Sequence, residues 1–293
     1  MTPSDFLALA TGPVVVQGIT GAVAGRHVAR MIGYGTRVVA GVTPGRGGKR
    51  VEGVPVFDTV TQAVAETGAT VSVAFLPPLA AADGLLEAVD AGIRLVVSTS
   101  EGVPVHGVLP ALELAEAAGT CVVGPNSPGL LLPGRVSLGF LPWAVARPGP
   151  VALLSRSGTL SYEVAHALAA VGLGESLWLG VGGDRIKGTT FRDLLPVLAA
   201  DPATRAIAIV GEIGGQDEED AAPVLAGSPV PCVALLAGRA APPDVAMGHA
   251  GAFVGTGRGG FVAKAAALES SSVPVVRSPS ELARYLAARL AAD

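Results

Sequence analysis

The chain has 293 residues, half of them hydrophobic and 15% charged, with a formal net charge of −4 at pH 7. The sequence shows no cluster of Lys and Arg, and such clusters are what proteins use to bind nucleic acid, so this class of function is disfavoured. The sequence has no run of about 18 apolar residues and no basic N-terminal region, so we predict a soluble protein of the cytoplasm or of an organelle matrix, without a membrane-spanning helix. Of the two compartments, the bacterial cytoplasm is the one we expect.

Short apolar runs alternate with helical stretches in the first half of the chain. The predicted strands are residues 14–17, 37–41, 71–76, 95–98 and 121–123. The predicted helices between them are residues 25–32, 60–67, 82–91 and 109–118. This alternation is typical of a parallel sheet built from right-handed crossovers. Cys121 and Cys232 lie in strand-like runs, which predicts buried reduced thiols rather than metal ligands.

Residues 129–150 interrupt this pattern. They contain four prolines and show no clear period, so we predict a linker between two domains, residues 1–145 and 146–293. The strand and helix alternation then resumes. Predicted strands are residues 151–154, 175–180, 206–210, 233–236, 252–254 and 273–276, with helices at 159–171 and 281–291. The chain is therefore predicted to be α/β, with two parallel-sheet domains.

The first strand runs into the glycine turn QGITGAVAG (residues 17–25). Glycines let a backbone approach a phosphate, and the following helix offers free N–H groups at the positive end of its dipole. The turn indicates a site for a phosphorylated ligand, and the alternative is a tight turn without one. Residues 255–260 (GTGRGG) fit a dinucleotide fingerprint, but no acidic residue follows the next strand to bind a ribose. Residues 45–49 (GRGGK) are not a P-loop.

The second half opens with a similar turn, SRSGT (residues 155–159). The hydroxyls of Ser155, Ser157 and Thr159 lie beside the start of a predicted helix, which suits a phosphate or a carboxylate. The alternative is an ordinary serine or threonine helix cap.

His249 differs from the other three histidines because glycines flank it in the run MGHAGA. An imidazole in such a loop is accessible, and it can act as a nucleophile when a second group fixes its tautomer. Glu212, at the end of the strand AIAIV, is the candidate for that group; the alternative is a solvated loop acid. A carboxylate that accepts the Nδ1 proton leaves Nε2 to attack phosphorus, while neighbouring N–H groups hold the phosphoryl oxygens.

Taken in order, these pieces resemble the α subunit of succinyl-CoA synthetase, a succinate–CoA ligase. The resemblance extends from about residue 14 to residue 290. It is carried by AGVTPGRGG (40–48), GPNSPG (124–129), SRSGTLSYE (155–163), VGEIGG (210–215) and MGHAGA (247–252). It implies a Rossmann-like CoA-binding domain followed by a flavodoxin-like domain.

The resemblance also implies roles for individual residues. His249 corresponds to the phosphorylated histidine, Glu212 to its carboxylate partner, and Tyr162 to a residue near the carboxylic acid. The turn that receives the phosphate corresponds to Ser155, Ser157 and Gly158. The CoA-binding residues correspond to Thr20, Gly21, Ala22, Val23, Arg46, Thr99, Ser100, Glu101, Pro125 and Asn126. The resemblance implies no metal ligand on this chain.

In that family, a nucleoside triphosphate phosphorylates the histidine and the phosphate passes to the acid. The CoA thiol then displaces phosphate from the acyl phosphate, and every step is reversible. ATP or GTP and Mg²⁺ bind to a separate ATP-grasp β subunit, in an αβ or α₂β₂ assembly. The resemblance therefore implies CoA, a small carboxylic acid and that β subunit as the partners of this chain.

The chain departs from the family pattern at several positions. Ser127 replaces the usual cysteine, Arg46 replaces a lysine, and residues 241–247 lack the basic residues of the family. An arginine keeps the charge but changes its geometry. Two alternatives therefore remain: the same chemistry on another acid such as malate, and a CoA-binding regulatory subunit without turnover. A nicotinamide oxidoreductase is disfavoured because its fingerprint is missing.

Overall fold

The structure is a computed structural model that describes residues 3–241 and 258–292. These residues form two seven-stranded sheets flanked by helices. No helix in these two ranges combines the length and the apolarity needed to cross a bilayer. The predicted strand at residues 252–254 lies outside the described residues.

The first sheet has the strand order β3-β4-β2-β1-β5-β6-β7. Its strands are β1 (Val14–Gln17), β2 (Val38–Val42), β3 (Arg50–Val51), β4 (Val54–Phe57), β5 (Val71–Ala74), β6 (Leu95–Ser98) and β7 (Cys121–Val123). The helices are α1 (Pro3–Ala10), α2 (Ala22–Tyr34), α3 (Val60–Thr67), α4 (Pro78–Asp90) and α5 (Val105–Ala118). All pairings are parallel except that of β3 with β4. The six parallel strands have the Rossmann order 3-2-1-4-5-6, which confirms the predicted fold.

The second sheet has the strand order β14-β13-β12-β10-β11-β8-β9. Its strands are β8 (Gly129–Leu132), β9 (Val136–Gly139), β10 (Pro148–Ser155), β11 (Glu175–Gly180), β12 (Ala206–Glu212), β13 (Cys232–Ala237) and β14 (Val275–Val276). The helices are α6 (Gly158–Ala170), α7 (Phe191–Ala199), α8 (Asp217–Ala226), α9 (Phe261–Ser270) and α10 (Pro279–Leu290). The five parallel strands have the flavodoxin-like order 2-1-3-4-5, again as predicted.

The linker prediction for residues 129–150 is wrong. β8 and β9 form an antiparallel hairpin, and β8 pairs with β11 of the second sheet. Pro133 lies in the turn of this hairpin, and Pro148 and Pro150 lie in the first three residues of β10, where the register with β11 shifts. Both hairpin strands are buried, and burial of their apolar residues outweighs the breaker signal. The division at residues 145 and 146 stays a prediction, although pairing with the second sheet begins at Gly129.

Glu175, the first residue of β11, has its side chain in the interior. It is 1% exposed, and Oε2 accepts a hydrogen bond of 3.2 Å from the Arg147 backbone N–H. Burial raises the pKa of this carboxyl from 4.5 to about 7, against that hydrogen bond and the Arg147 charge. Because the pKa is higher in the folded state, ionisation opposes folding. The carboxyl therefore costs no stability below about pH 4.5, and its full cost applies above about pH 7.

We expect Glu175→Gln to stabilise the protein at about pH 8 by up to about 3 kcal/mol, and to have little effect near pH 4.5. Urea unfolding of both proteins at the two pH values measures the difference. A gain that is the same at both values would contradict the raised pKa.

Candidate active site

The carboxyl ends of β10 and β12 meet at the point where the strand order of the second sheet reverses. The two strands are parallel neighbours, with Ser155 opposite Val210. Open α/β sheets bind ligands at such a switch point, outside the carboxyl ends of the strands. The predicted turn at residues 155–158 follows β10, and Glu212 ends β12. The structure therefore brings these predicted site residues to one edge of one sheet.

The turn after β10 is held by its own hydroxyl groups. The Ser155 hydroxyl donates a 2.6 Å hydrogen bond to the Ser157 carbonyl oxygen. Ser157 is the N-cap of α6, and its hydroxyl oxygen accepts a 3.2 Å bond from the Leu160 N–H. Gly158 is the first residue of α6. The interpretation of Ser157 as a helix cap is thus confirmed. The N-terminus of α6 lies at the same edge of the sheet as Glu212.

Arg156, between these serines, is the centre of a buried charge cluster. It is 1% exposed and lies 3.4 Å from a Glu212 carboxylate oxygen, 3.5 Å from Glu218 and 3.6 Å from Asp217. Its Nη1 donates to the carbonyl oxygens of Gly214, at 2.5 Å, and of Glu212, at 3.3 Å. Burial alone would lower the pKa of Arg156, but the three carboxylates raise it. This guanidinium therefore stays charged and links the turn after β10 to the turn after β12.

Lys264 of α9 holds the turn after β12 through hydrogen bonds to its backbone. It is fully buried, and its Nζ donates hydrogen bonds of 2.8 Å to the carbonyl oxygens of both Glu212 and Gly214. It also forms an ion pair with Glu218, whose other oxygen accepts a 3.0 Å bond from the Glu212 N–H. Burial and the Arg156 charge lower the pKa of Lys264, while Glu218 opposes that shift. Lys264 and Glu218 together hold the backbone of Glu212 through its N–H and its carbonyl.

Sequence reasoning singled out neither Arg156 nor Lys264. Arg156 lies inside the SRSG run, but its charge partners follow β12 and come from another part of the sequence. Lys264 had one signal: it is the only charged residue in the apolar stretch FVAKAAAL (261–268), where a lysine needs a buried partner. His249 and the rest of the MGHAGA run lie outside the described residues.

The residues predicted to bind CoA lie at the carboxyl edge of the first sheet. Residues 20–23 join β1 to α2, and Arg46 follows β2. Residues 99–101 follow β6, and Pro125 and Asn126 follow β7. Gly18 begins the first of these turns with φ +76, and a Cβ there would lie 2.4 Å from the Phe75 carbonyl oxygen. Only glycine therefore allows β1 to turn this close to β5, at the switch point of the first sheet.

The two segments after β6 and β7 are tied to the sheet and to each other. The Thr99 hydroxyl donates to the Ala74 carbonyl at 2.8 Å, and the Ser100 hydroxyl donates to the Leu76 carbonyl at 2.6 Å. The Asn126 N–H donates to the Ser100 carbonyl at 2.8 Å. In contrast, Thr20, Arg46 and Glu101 are exposed. This edge of the sheet thus combines backbone segments fixed by hydrogen bonds with polar side chains that a ligand can reach.

Tyr162, predicted to lie near the acid, and Ser127, which departs from the family pattern, have mainly structural contacts. Tyr162 of α6 packs edge-on against Trp178, with ring centroids 5.6 Å apart, and burial raises the pKa of its hydroxyl. The hydroxyl of Ser127, which replaces the cysteine of the family, donates to the Gly180 carbonyl at 2.6 Å and accepts from the Gly129 N–H at 2.9 Å. The serine therefore fixes the backbone between the two sheets.

Comparisons with known proteins agree with this two-domain arrangement. Residues 10–102 match the family described as "CoA binding domain", and residues 154–276 match the family described as "CoA-ligase". The chain is 47% identical over 274 residues to "Succinate–CoA ligase [ADP-forming] subunit alpha 2" of Archaeoglobus fulgidus, which covers 94% of this chain and 96% of that one. A relative of the same name, subunit alpha, from Aquifex aeolicus is 46% identical and covers 94% and 91%.

The chain belongs to the family of succinate–CoA ligase α subunits. This confirms the resemblance drawn from its motifs, and it makes the chain a CoA-binding member of a family whose subunits work with a β partner.

A solved structure of similar fold is "ATP citrate lyase from Methanothrix soehngenii in complex with citrate and coenzyme A". Its TM-score is 0.88 at 25% identity, over 97% of this chain and 50% of that one. This chain therefore spans about half the length of that protein.

Proposed function

We propose that this succinate–CoA ligase α subunit forms succinyl-CoA reversibly through a phosphohistidine at His249 and an acyl phosphate. The proposal is supported chiefly by the meeting of Glu212 and the Ser155–Gly158 turn at one edge of the second sheet, joined by Arg156. An imidazole nucleophile needs a carboxylate that orients it, and the phosphoryl group that it carries needs N–H donors. Glu212 provides the carboxylate, and the N-terminus of α6 provides the donors.

The chemistry proceeds in three transfers. An imidazole nitrogen of His249 attacks the γ-phosphorus of the nucleotide, a P–N bond forms, and the nucleoside diphosphate leaves. A carboxylate oxygen of the acid then attacks that phosphorus, the P–N bond breaks, and an acyl phosphate forms. The CoA sulfur attacks the acyl carbon, phosphate leaves with the electrons of the C–O bond, and the thiol proton passes to solvent.

The chain's own residues contribute binding and positioning. Glu212 orients the imidazole, and the turn at Ser155, Ser157 and Gly158 holds the phosphoryl oxygens. CoA is bound by residues 20–23, by Arg46, and by residues 99–101 and 125–126. Tyr162 lies near the acid. The nucleotide and Mg²⁺ bind to an ATP-grasp β subunit, and because the named relatives are ADP-forming, ATP is the first nucleotide to test.

The test uses the chain co-purified with its β subunit, Mg²⁺, CoA and ATP or GTP, with succinate, malate and citrate in separate reactions. We expect thioester formation that depends on all three substrates and is fastest with succinate. Faster turnover of malate would assign the same chemistry to another acid. CoA binding without turnover of any acid would instead identify a regulatory subunit.

A further inference from the structure

A loop of the second sheet lies across the predicted CoA-binding edge of the first. This bridging loop, residues 181–190, connects β11 to α7. Its Thr189 hydroxyl donates to the Val122 carbonyl at 2.7 Å, and its Gly188 N–H donates to the Gly124 carbonyl at 3.0 Å. Ile186 packs against an apolar cluster formed by α4, α5 and Val103, which precedes α5. The bridging loop is therefore docked along most of its length.

Asp184 makes the most specific contacts of this loop. Its Oδ1 accepts a 3.0 Å hydrogen bond from the Asn126 side-chain amide, and the backbone N–H groups of Gly102 and Val103 lie near enough to favour its ionised form. The Gly183 N–H donates to the Asn126 carbonyl at 3.1 Å. The carboxylate of the bridging loop thus binds the segment after β7 at Asn126, whose own N–H is bonded to Ser100 in the segment after β6.

The same loop is anchored at its other end to the buried charge cluster. Lys187 Nζ lies 2.5 Å from Asp217 and donates to the Asp184 carbonyl at 3.4 Å. Asp217 in turn lies 3.6 Å from Arg156, the guanidinium beside Glu212. A continuous set of contacts therefore runs from the CoA-binding edge to the turn that would receive the phosphate.

Burying a carboxylate between two loops carries a large desolvation penalty. Asp184 is 6% exposed, and burial raises the pKa of its carboxyl. The Glu101 charge adds to this shift, while the Asn126 hydrogen bond and the nearby N–H groups of Gly102 and Val103 oppose it. Apolar packing could fix two backbones with less desolvation. A carboxylate, however, accepts a stronger hydrogen bond from the Asn126 amide than a neutral group would, and the N–H groups of the neighbouring segment favour its charge.

We propose that Asp184 is a positioning residue for CoA, which holds two CoA-binding segments in register with the phosphate-transfer turn of the second sheet. The inference rests on the proposed function, since thioester formation requires CoA bound on the first sheet to reach an acyl phosphate on the second. A misplacement of about 1 Å between such groups can slow a reaction on the order of 100-fold. Asp184 therefore acts on the CoA-dependent step and not on phosphorylation.

The test separates the two half-reactions in the complex with the β subunit. For Asp184→Asn we expect the Kd and KM for CoA to rise roughly ten-fold or more, the effect of losing charge-assisted hydrogen bonds. The rate of phosphorylation by labelled ATP, which needs no CoA, stays within about two-fold of wild type. CoA binding is measured by calorimetry, and the phosphorylation and CoA-dependent discharge of the label by rapid quench.

Asp201→Asn is the matched control. Asp201 is similarly buried, at 8% exposure, and accepts hydrogen bonds from Thr204 and Ala203 in a turn that belongs to the second sheet alone. It is expected to leave CoA affinity unchanged. If Asp184→Asn matches this control in CoA affinity, or loses phosphorylation as strongly as CoA binding, the inference is wrong. Wild-type enzyme that neither phosphorylates nor forms thioester would instead reject the proposed function.

If Asp184→Asn yields no folded protein, Asp184→Glu serves in its place. It keeps the charge but moves the acceptor atoms by one methylene, so CoA affinity falls several-fold while phosphorylation persists. Unchanged CoA affinity in Asp184→Glu would also overturn the inference.

Discussion

Replacing Glu212 with glutamine is expected to slow phosphorylation of this chain on the order of 100-fold or more. Glu212 is 6% exposed at the carboxyl end of β12, and its backbone is held by Glu218, Lys264 and Arg156. A carboxylate fixed in this way orients an imidazole with little loss of entropy and stabilises the positive charge that develops on it as it attacks phosphorus. Glutamine keeps an acceptor oxygen but loses the charge. Single-turnover labelling with γ-labelled ATP measures the rate.

Asp217→Asn is the control for this variant. Asp217 also pairs with Arg156, at 3.6 Å, so its replacement removes the same charge from the cluster without removing the proposed imidazole partner. We expect less than about a ten-fold effect on phosphorylation. Equal losses in the two variants would mean that Glu212 acts only through the charge balance around Arg156, and an unchanged rate in Glu212→Gln would remove its proposed role.

Lys264→Met is expected to destabilise the protein by about 3–5 kcal/mol, a large part of the stability of an ordinary domain. Lys264 and Glu218 are both fully buried and form an ion pair with each other. Removal of the lysine takes one of the cations from the Glu218 carboxylate, which stays 3.5 Å from Arg156, and it leaves the Glu212 and Gly214 carbonyls without one of their donors. Urea unfolding followed by circular dichroism measures the change.

Two further variants test the source of that loss. Lys49→Met replaces an exposed lysine and is expected to change stability by less than about 0.5 kcal/mol. Glu218→Gln combined with Lys264→Met removes both buried charges, so the double variant should lose less than the sum of the single losses. Additive losses would show that the two side chains contribute separately.

Outside the hairpin of β8 and β9, the sequence predicted the strands that are buried on both faces. Residues 14–17, 95–98, 121–123 and 175–180 were placed to the residue, because a continuous apolar run between turn residues has few other stable arrangements in an α/β chain. Helices α7 and α8 were missed. They contain Pro196 and Pro223, which break a helical pattern in a sequence but fall within the two helices here.

The hairpin at residues 129–139 was missed for a related reason. Its position is decided by β11, a strand about 45 residues later, and local composition carries no signal for such a pairing. The motifs identified Glu212 and the turn at Ser155, but not how they are held. Arg156, Glu218 and Lys264 come together only through the fold, since they belong to three separate segments of the second half.

The most direct test of the proposed mechanism is to identify the residue of this chain that carries the phosphate. The chain is incubated with its β subunit, Mg²⁺ and γ-labelled ATP or GTP, digested, and mapped by peptide, with His249→Asn in parallel. We expect an acid-labile, base-stable label on His249 that CoA and one dicarboxylate discharge together, and no label in His249→Asn, which still binds CoA. Full activity of His249→Asn, or label on another residue, would contradict the proposed mechanism.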